Sequence, residues 1–173
     1  MSSSSQVVVR QLNREDLDQF RTLRLRGLKE DPEAFGAAYE EISQTPDSDW
    51  LKVLDDSHGS FVLGAFDPNL VGLVAFSRPP RIKKRHKGHI WGMYVAPEAR
   101  GCGIAKTLML AALDRLRLVE ELEEVMLTVV TKNSAARNLY LNLGFVPYGL
   151  EKRALKLGDQ YLDEELLSIK LLD

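Results

Sequence analysis

From Val95 to Thr107 the chain reads Val95-Ala96-Pro97-Glu98-Ala99-Arg100-Gly101-Cys102-Gly103-Ile104-Ala105-Lys106-Thr107. An apolar run ends, two closely spaced glycines follow, and a long helical pattern begins. The first backbone N–H groups of a helix have no carbonyl partner and lie at the positive end of its dipole. Such an end suits a phosphate or pyrophosphate. Gly101 and Gly103 let a ligand approach the backbone because no Cβ stands in the way. Arg100 adds a positive charge beside them. The same glycines would also serve a tight strand-to-helix turn with no ligand, and the pair alone does not decide. Two familiar phosphate loops fail here. A Walker loop ending at Lys106 needs glycine where Ala105 and Arg100 stand,. A dinucleotide fingerprint needs a third glycine at Lys106,.

The elements that must position this turn are legible from pattern. Residues 6–12 carry Val7-Val8-Val9 and read as a first strand,. Asn13 caps a helix, with Asp16 in a capping-box position,. Leu17, Phe20, Leu23 (or Arg24) and Leu28 give that helix one apolar face, and Asp31-Pro32 stops it,. A second helix is predicted over 47–54. Residues 61–66 and 70–77 form a hairpin about Asp67-Pro68-Asn69,. Residues 88–95 are a strand that ends at Ala96-Pro97. A long helix over 103–119, a strand over 125–130 and a helix over 133–143 follow, the last closed by Gly144,. The strand over 125–130 is almost wholly apolar, as one buried on both faces should be,. Strands near 147–155 and 160–171 flank Gly158-Asp159, a hairpin turn,. The order is mixed α/β with one strand–helix–strand crossover near the middle.

Arg100, Gly103 and Ala105 fit a pattern Arg-x-x-Gly-x-Ala. Downstream stand Asn133-Ser134-Ala135-Ala136-Arg137-Asn138-Leu139-Tyr140, then Leu143-Gly144-Phe145. The first pattern resembles the pyrophosphate arm of the GCN5-related N-acetyltransferase (GNAT) superfamily. The second is similar to that family's Asn-x-x-Ala-x-x-Leu-Tyr motif with its Gly-Phe. The strand Ile90-Trp91-Gly92-Met93-Tyr94-Val95 and Pro97 resemble its central strand. Two motifs in the right order, separated by a helix and a strand, make the resemblance specific. It covers the chain from Gln6 to Leu171 and rests on Gly88 to Phe145.

The resemblance implies an α/β fold with a mixed, mostly antiparallel central sheet of about seven strands, a splayed parallel pair and flanking helices. It implies transfer of an acetyl group from acetyl-CoA to an amine by direct attack through a tetrahedral intermediate. The bulged central strand would pair with the pantetheine arm through the backbones of Met93, Tyr94 and Val95. Pyrophosphate would rest on Gly101, Cys102, Gly103, Ile104, Ala105 and Lys106, with Arg100 nearby. Asn133 matches a position that binds the cofactor arm, and Asn138 lies on the same helix. Tyr140 matches the tyrosine facing the thioester sulfur, where a phenol can act as general acid; on spacing alone it reads as core beside Leu139 and Phe145. The bulge can expose a backbone N–H near Met93 or Tyr94 for the oxyanion. Some relatives carry a glutamate base where His89 stands. A histidine can do that task, but His89 follows Lys84-Arg85-His86-Lys87 and equally suits a surface position. Glu40, Glu41, Glu151 or a water chain are alternatives. Cys102, the one thiol, is poorly placed to carry an acetyl group. A catalytically silent acyl-CoA-binding module on the same fold is the competing reading. The acceptor, a small-molecule or protein amine, is not legible, and a homodimer is common in relatives.

Composition agrees with this and excludes other classes. The 173 residues are 45% hydrophobic and 28% charged, with a formal net charge of −2. That balance calls for neither nucleic acid nor membrane. No apolar run approaches the roughly 20 residues that span a bilayer. A single cysteine suits a reducing cytoplasm,, and no metal is implied. Residues 1–5 read as a short mobile arm without the apolar core of a secretory signal; residues 6–173 read as a single domain. The basic run Arg78, Arg81, Lys83, Lys84, Arg85, Lys87 suits a solvated hairpin tip better than a phosphate site,. It lacks the interleaved aromatics of a single-strand binder,.

Overall fold

The computed structural model describes residues 6–55 and 59–171; the arm expected at residues 1–5 lies outside the described residues. Seven strands form one sheet: β1 (Val8–Gln11), β2 (Phe61–Asp67), β3 (Asn69–Ser77), β4 (Lys87–Val95), β5 (Glu124–Val130), β6 (Val146–Leu157) and β7 (Gln160–Lys170). Their spatial order is β1-β2-β3-β4-β5-β7-β6. Every neighbouring pair is antiparallel except β4 and β5. The helices are α1 (Leu17–Glu30), α2 (Tyr39–Ile42), α3 (Asp47–Leu54), α4 (Ile104–Leu116) and α5 (Ser134–Asn142). This is the mixed sheet with one parallel pair and flanking helices that the motifs implied.

Local chemistry sets the helix ends. Asn13 Oδ1 accepts from the Glu15 N–H at 2.8 Å, and Asp16 Oδ2 accepts from the Asn13 N–H at 2.9 Å. The capping box is present, but it closes a 3-10 turn (Arg14–Asp16) before α1 begins, a common way for a helix to start. Asp16 is buried, and both its oxygens accept from Arg10 at 2.7 Å. That pair holds the Asp16 carboxyl below its ordinary pKa. The long central helix is shorter than its pattern: after Leu116 the N–H groups of Leu118 and Val119 bond three residues back, so the helix tightens and stops,. Gly144 takes φ +99 after α5, the left-handed position that glycine fills without strain,. The four-residue α2 and a 3-10 turn at Pro32–Ala34 had no signal strong enough to read from the sequence.

The sheet divides two apolar layers. On one face α4 packs Leu108, Met109, Leu113 and Leu116 against Phe61, Phe76, Val125 and Leu167. On the other, Phe20 and Leu23 of α1 and Trp50 and Leu54 of α3 cover Val62, Leu73 and Ala75. Each fully buried side chain of this size contributes roughly 1.5–3 kcal/mol, so the two layers hold the strands in register. The basic run lies in the β3–β4 connection. Arg78 Nη2 donates to the Glu120 carbonyl at 2.8 Å and Arg85 pairs with Glu121 at 2.6 Å. Both acceptors follow the C-terminal end of α4, the end away from the glycine turn. No helix among the described residues is long and apolar enough to cross a membrane.

Candidate active site

β4 departs from regular pairing in its middle. Leu73 faces Tyr94 and Ala75 faces Trp91, so Gly92 and Met93 stand opposite Val74 alone. This is a β-bulge. Gly92 takes φ +67, a conformation glycine adopts freely,. β4 and β5 pair only at Lys87↔Glu124, Gly88↔Val125 and His89↔Met126. Past that point they separate, although β4 runs on to Val95 and β5 to Val130. A cavity of about 850 Å³ occupies the divergence, and Met93, Tyr94 and Val95 form one wall.

The glycine turn forms the mouth. Gly101 and Gly103 take φ +79 and φ +77, and a Cβ on either would meet nothing within 4 Å. Their necessity is therefore conformational, not steric within the protein. Gly103 is the N-cap of α4 and supplies no side-chain cap. The first intrahelical bond is Thr107 N–H to the Gly103 carbonyl at 3.0 Å. Hence the N–H groups of Ile104, Ala105 and Lys106 have no partner within the helix, and all three residues line the cavity,. Unpartnered amides at a helix start are the arrangement that suits an anion.

Arg100 lines the cavity, but its charge is not loose. Its Nε donates to the Val95 carbonyl at 2.9 Å and its Nη2 to Asp31 at 2.7 Å. The side chain thus ties the glycine turn to the end of β4 and to the segment after α1. Of the other residues expected from sequence, Asn133 and Tyr140 line the cavity, while Cys102, Asn138 and His89 do not. Asn133 Oδ1 caps α5 by accepting from the Ala136 N–H at 3.2 Å. Cys102 and Asn138 are exposed. His89 stands at the closed end of the parallel pair, between Ser77 and Met126; partial burial lowers its pKa below the ordinary value.

Tyr140 is buried at 6% exposure, edge-on to Phe145 with ring centroids 6.0 Å apart. Core packing and cavity lining are both true of it. Burial pushes its phenol up to about 12, so it stays protonated and able to donate near neutral pH.

Two regions were missed from sequence. The segment after α1 supplies Asp31 and Phe35 to the lining of the cavity, and no residue type there announces the role. The other is Arg24, which the helical pattern left as an alternative to Leu23. It is buried at 7% exposure on the inner face of α1. Its guanidinium lies over two rings, 4.9 Å from the Phe35 centroid and 5.5 Å from that of Trp91. Nη1 has no hydrogen-bond partner, and desolvation with no opposing carboxylate lowers its pKa to about 10. A charged residue on an otherwise apolar helix stripe was the available signal. Beside it lies a second, smaller cavity of about 110 Å³, lined in part by Arg24, Trp50 and Trp91.

Comparison with known proteins gives the geometry a lineage. The model of the acetyltransferase (GNAT) family matches residues 22–145. The chain is 32% identical over 124 residues to N-alpha-acetyltransferase 30 of Saccharomyces cerevisiae, covering 71% of this chain and 62% of that protein. It is 28% identical over 135 residues to spermidine N(1)-acetyltransferase of Vibrio cholerae, covering 78% and 76%. Among solved structures it superposes with TM-score 0.83 on yncA, a putative acetyltransferase from Salmonella typhimurium solved with its cofactor acetyl-CoA. That match is 16% identical and covers 98% and 96% of the two chains. The bulged strand, the splayed parallel pair and the uncapped glycine turn thus occur in a chain that belongs to the GNAT acetyltransferase family.

Proposed function

We propose that the protein transfers the acetyl group of acetyl-CoA to an amine by direct attack. The observation that carries this is one cavity in which the free amides of α4, the unpaired edge of β4 and the phenol of Tyr140 converge. The fit is specific to an acyl-CoA. The α4 amides and the left-handed glycines suit its pyrophosphate, and the edges of Met93, Tyr94 and Val95 suit an amide-bearing arm. A donor at Tyr140 suits its sulfur.

The chemistry follows from those positions. The amine, once neutral, attacks the thioester carbonyl carbon; a C–N bond forms, and the carbonyl oxygen takes the negative charge. The bulge at Gly92 and Met93 interrupts the β3 pairing and so supplies a backbone donor for that oxygen,. The C–S bond then breaks and sulfur leaves as a thiolate. Tyr140 donates a hydrogen bond to it. Full proton transfer is uphill, because a phenol near 12 is a weaker acid than a thiol near 8.5,. Tyr140 therefore stabilises the leaving thiolate more than it protonates it. His89 lines no part of the cavity, so it does not take the proton shed by the amine directly.

Calorimetry with acetyl-CoA, followed by thiol release on a panel of amines, tests the reading. Heat of binding and acceptor-dependent thiol are expected. No binding at millimolar acetyl-CoA would end the proposal. Binding without turnover on any amine would leave an acyl-CoA-binding module instead.

A further inference from the structure

We infer that the acceptor carries a carboxylate close to its amine, and that Arg24 is the group that binds it. This rests on the acetyl-transfer reading above and names the acceptor's class.

Arg24 is the most costly side chain in the core to leave as it is. A guanidinium this deep needs a carboxylate or several carbonyl acceptors, yet Nη1 has none. Among the described residues, the other buried arginine nitrogen without a partner, Arg21 Nε, belongs to a side chain that already pairs with Asp47. The guanidinium lies over the rings of both Phe35 and Trp91. Aromatic faces attract a cation but do not accept its in-plane N–H groups as a carboxylate does. The result is a fixed, oriented donor edge with nothing on it.

Its place gives that edge a purpose. Phe35 lines the large cavity, and Trp91 lines the small one. Arg24 stands between the two. The backbone at Gly92 comes so near that a Cβ there would lie 3.7 Å from Nη1. The next residue, Met93, faces the large cavity. An anion on Arg24 therefore sits at the bulge, on the side of the sheet that α1 and α3 cover, with the thioester slot beyond. The small cavity holds about 110 Å³, the share of three or four waters, which suits a carboxylate and a few carbons. Asp49 at its rim is already paired with Lys52 at 2.7 Å. A polyamine, cationic at both ends, would meet a like charge here.

The test compares acids with their amides. Alanine and alaninamide differ only in the carboxylate. C-terminally amidated aspartyl-alanine and alanyl-alanine ask whether a side-chain carboxylate can serve in place of the α-carboxylate. In kcat/KM the wild type should prefer the acid of at least one pair by about tenfold or more, as a charge-assisted bidentate contact gives. Arg24→Gln and Arg24→Met should abolish the preference while binding acetyl-CoA with unchanged Kd. Arg24→Met should fold, because it removes an uncompensated buried charge. Thermal shift of the wild type without acetyl-CoA reads the same subsite with no turnover: the acids should stabilise and the amides should not. Equal handling of acid and amide by the wild type in both assays overturns the inference, as does a preference that survives Arg24→Gln. Failure to bind acetyl-CoA would remove the acetyl-transfer reading while the thermal-shift comparison still decided the role of Arg24.

Discussion

Tyr94 Oη donates a hydrogen bond to Glu30 Oε2 at 3.0 Å, tying the splayed end of β4 to the last turn of α1. The ring below that hydroxyl packs on Gly27, where a Cβ would fall 3.0 Å from it. Glu30 also accepts from Arg26 at 3.0 Å, and Arg26 bridges on to Glu98 at 2.7 Å. The last turn of α1 is thereby fixed to the strand on one side and to the approach to the glycine turn on the other. Removing the hydroxyl leaves the ring in place and returns an exposed carboxylate to water. Tyr94→Phe should therefore cost only about 0.5–1.5 kcal/mol, read as a shifted urea midpoint with unchanged slope. A loss several times larger would mean that the hydroxyl does more than brace.

Tyr140 gives the sharpest kinetic expectation. Its phenol lines the slot but sits within the core, so Tyr140→Phe keeps the packing and deletes the donor. The acetyl-CoA Kd should hold while kcat falls by about a hundredfold, the lower end for a positioned acid, because proton transfer to the thiolate is uphill. Equal losses in Kd and kcat would assign the hydroxyl to binding, and an unaltered kcat would remove it from the chemistry.

The same burial sets an alkaline limit on stability. The Tyr140 phenol stands near 12 when folded, against 10 ordinarily. Its folded pKa is raised, so its contribution is complete below pH 10 and is lost as pH climbs toward 12. Over that window the unfolded state binds fewer protons than the native state, and the unfolding free energy must fall with pH. The decline attributable to this residue is on the order of 2–3 kcal/mol. Denaturation at several pH values above 9 should show it, and the curve for Tyr140→Phe should be flatter.

Gly103 separates conformation from contact. A side chain there meets no atom of the protein, yet φ is +77. Gly103→Ala should cost roughly 1–2 kcal/mol through backbone strain alone. Gly103→Asn, which tolerates the left-handed region better, should cost less. Both place atoms where the diphosphate would lie, so acetyl-CoA binding should weaken in the two variants alike. If affinity instead follows stability, the turn acts only as a hinge into α4.

The turn was legible because its chemistry is local. Two glycines, the start of a helix pattern and an apolar strand before it suffice to define uncapped amides, and the structure supplies left-handed φ at both glycines. The element order gave one strand–helix–strand crossover, and the motif resemblance added the splay of its parallel pair; the spatial order of the seven strands was not legible, since periodicity cannot say which strands neighbour each other. Arg24 shows what pattern reading loses. A helix stripe is scored by average character, so one arginine among Phe20, Leu23 and Leu28 passes as noise, although its burial beside Phe35 and Trp91 is set by residues distant in the chain. Arg100 was legible only in part. A positive charge beside a phosphate turn reads as a ligand group, and Arg100 does line the cavity, but its contacts with Asp31 and the Val95 carbonyl come from residues outside the motif's pattern and could not be read from it.

The basic run between β3 and β4 can be settled by distance. Arg78 and Arg85 contact Glu120 and Glu121 beyond the far end of α4. That helix has 13 residues, which places its two ends roughly 20 Å apart. At physiological salt a charge is screened over about 8 Å, so the loop exerts little field at the glycine turn. The three exposed cations at its tip, Arg81, Lys83 and Lys84, can be replaced together by glutamine without disturbing the contacts of Arg78 and Arg85. Acetyl-CoA affinity should then change by less than about twofold, with the same dependence on ionic strength, because the replaced charges lie more than two screening lengths away. A marked, salt-sensitive loss of affinity would place the cofactor's remaining phosphate on this loop and require the bound arm to turn back along α4.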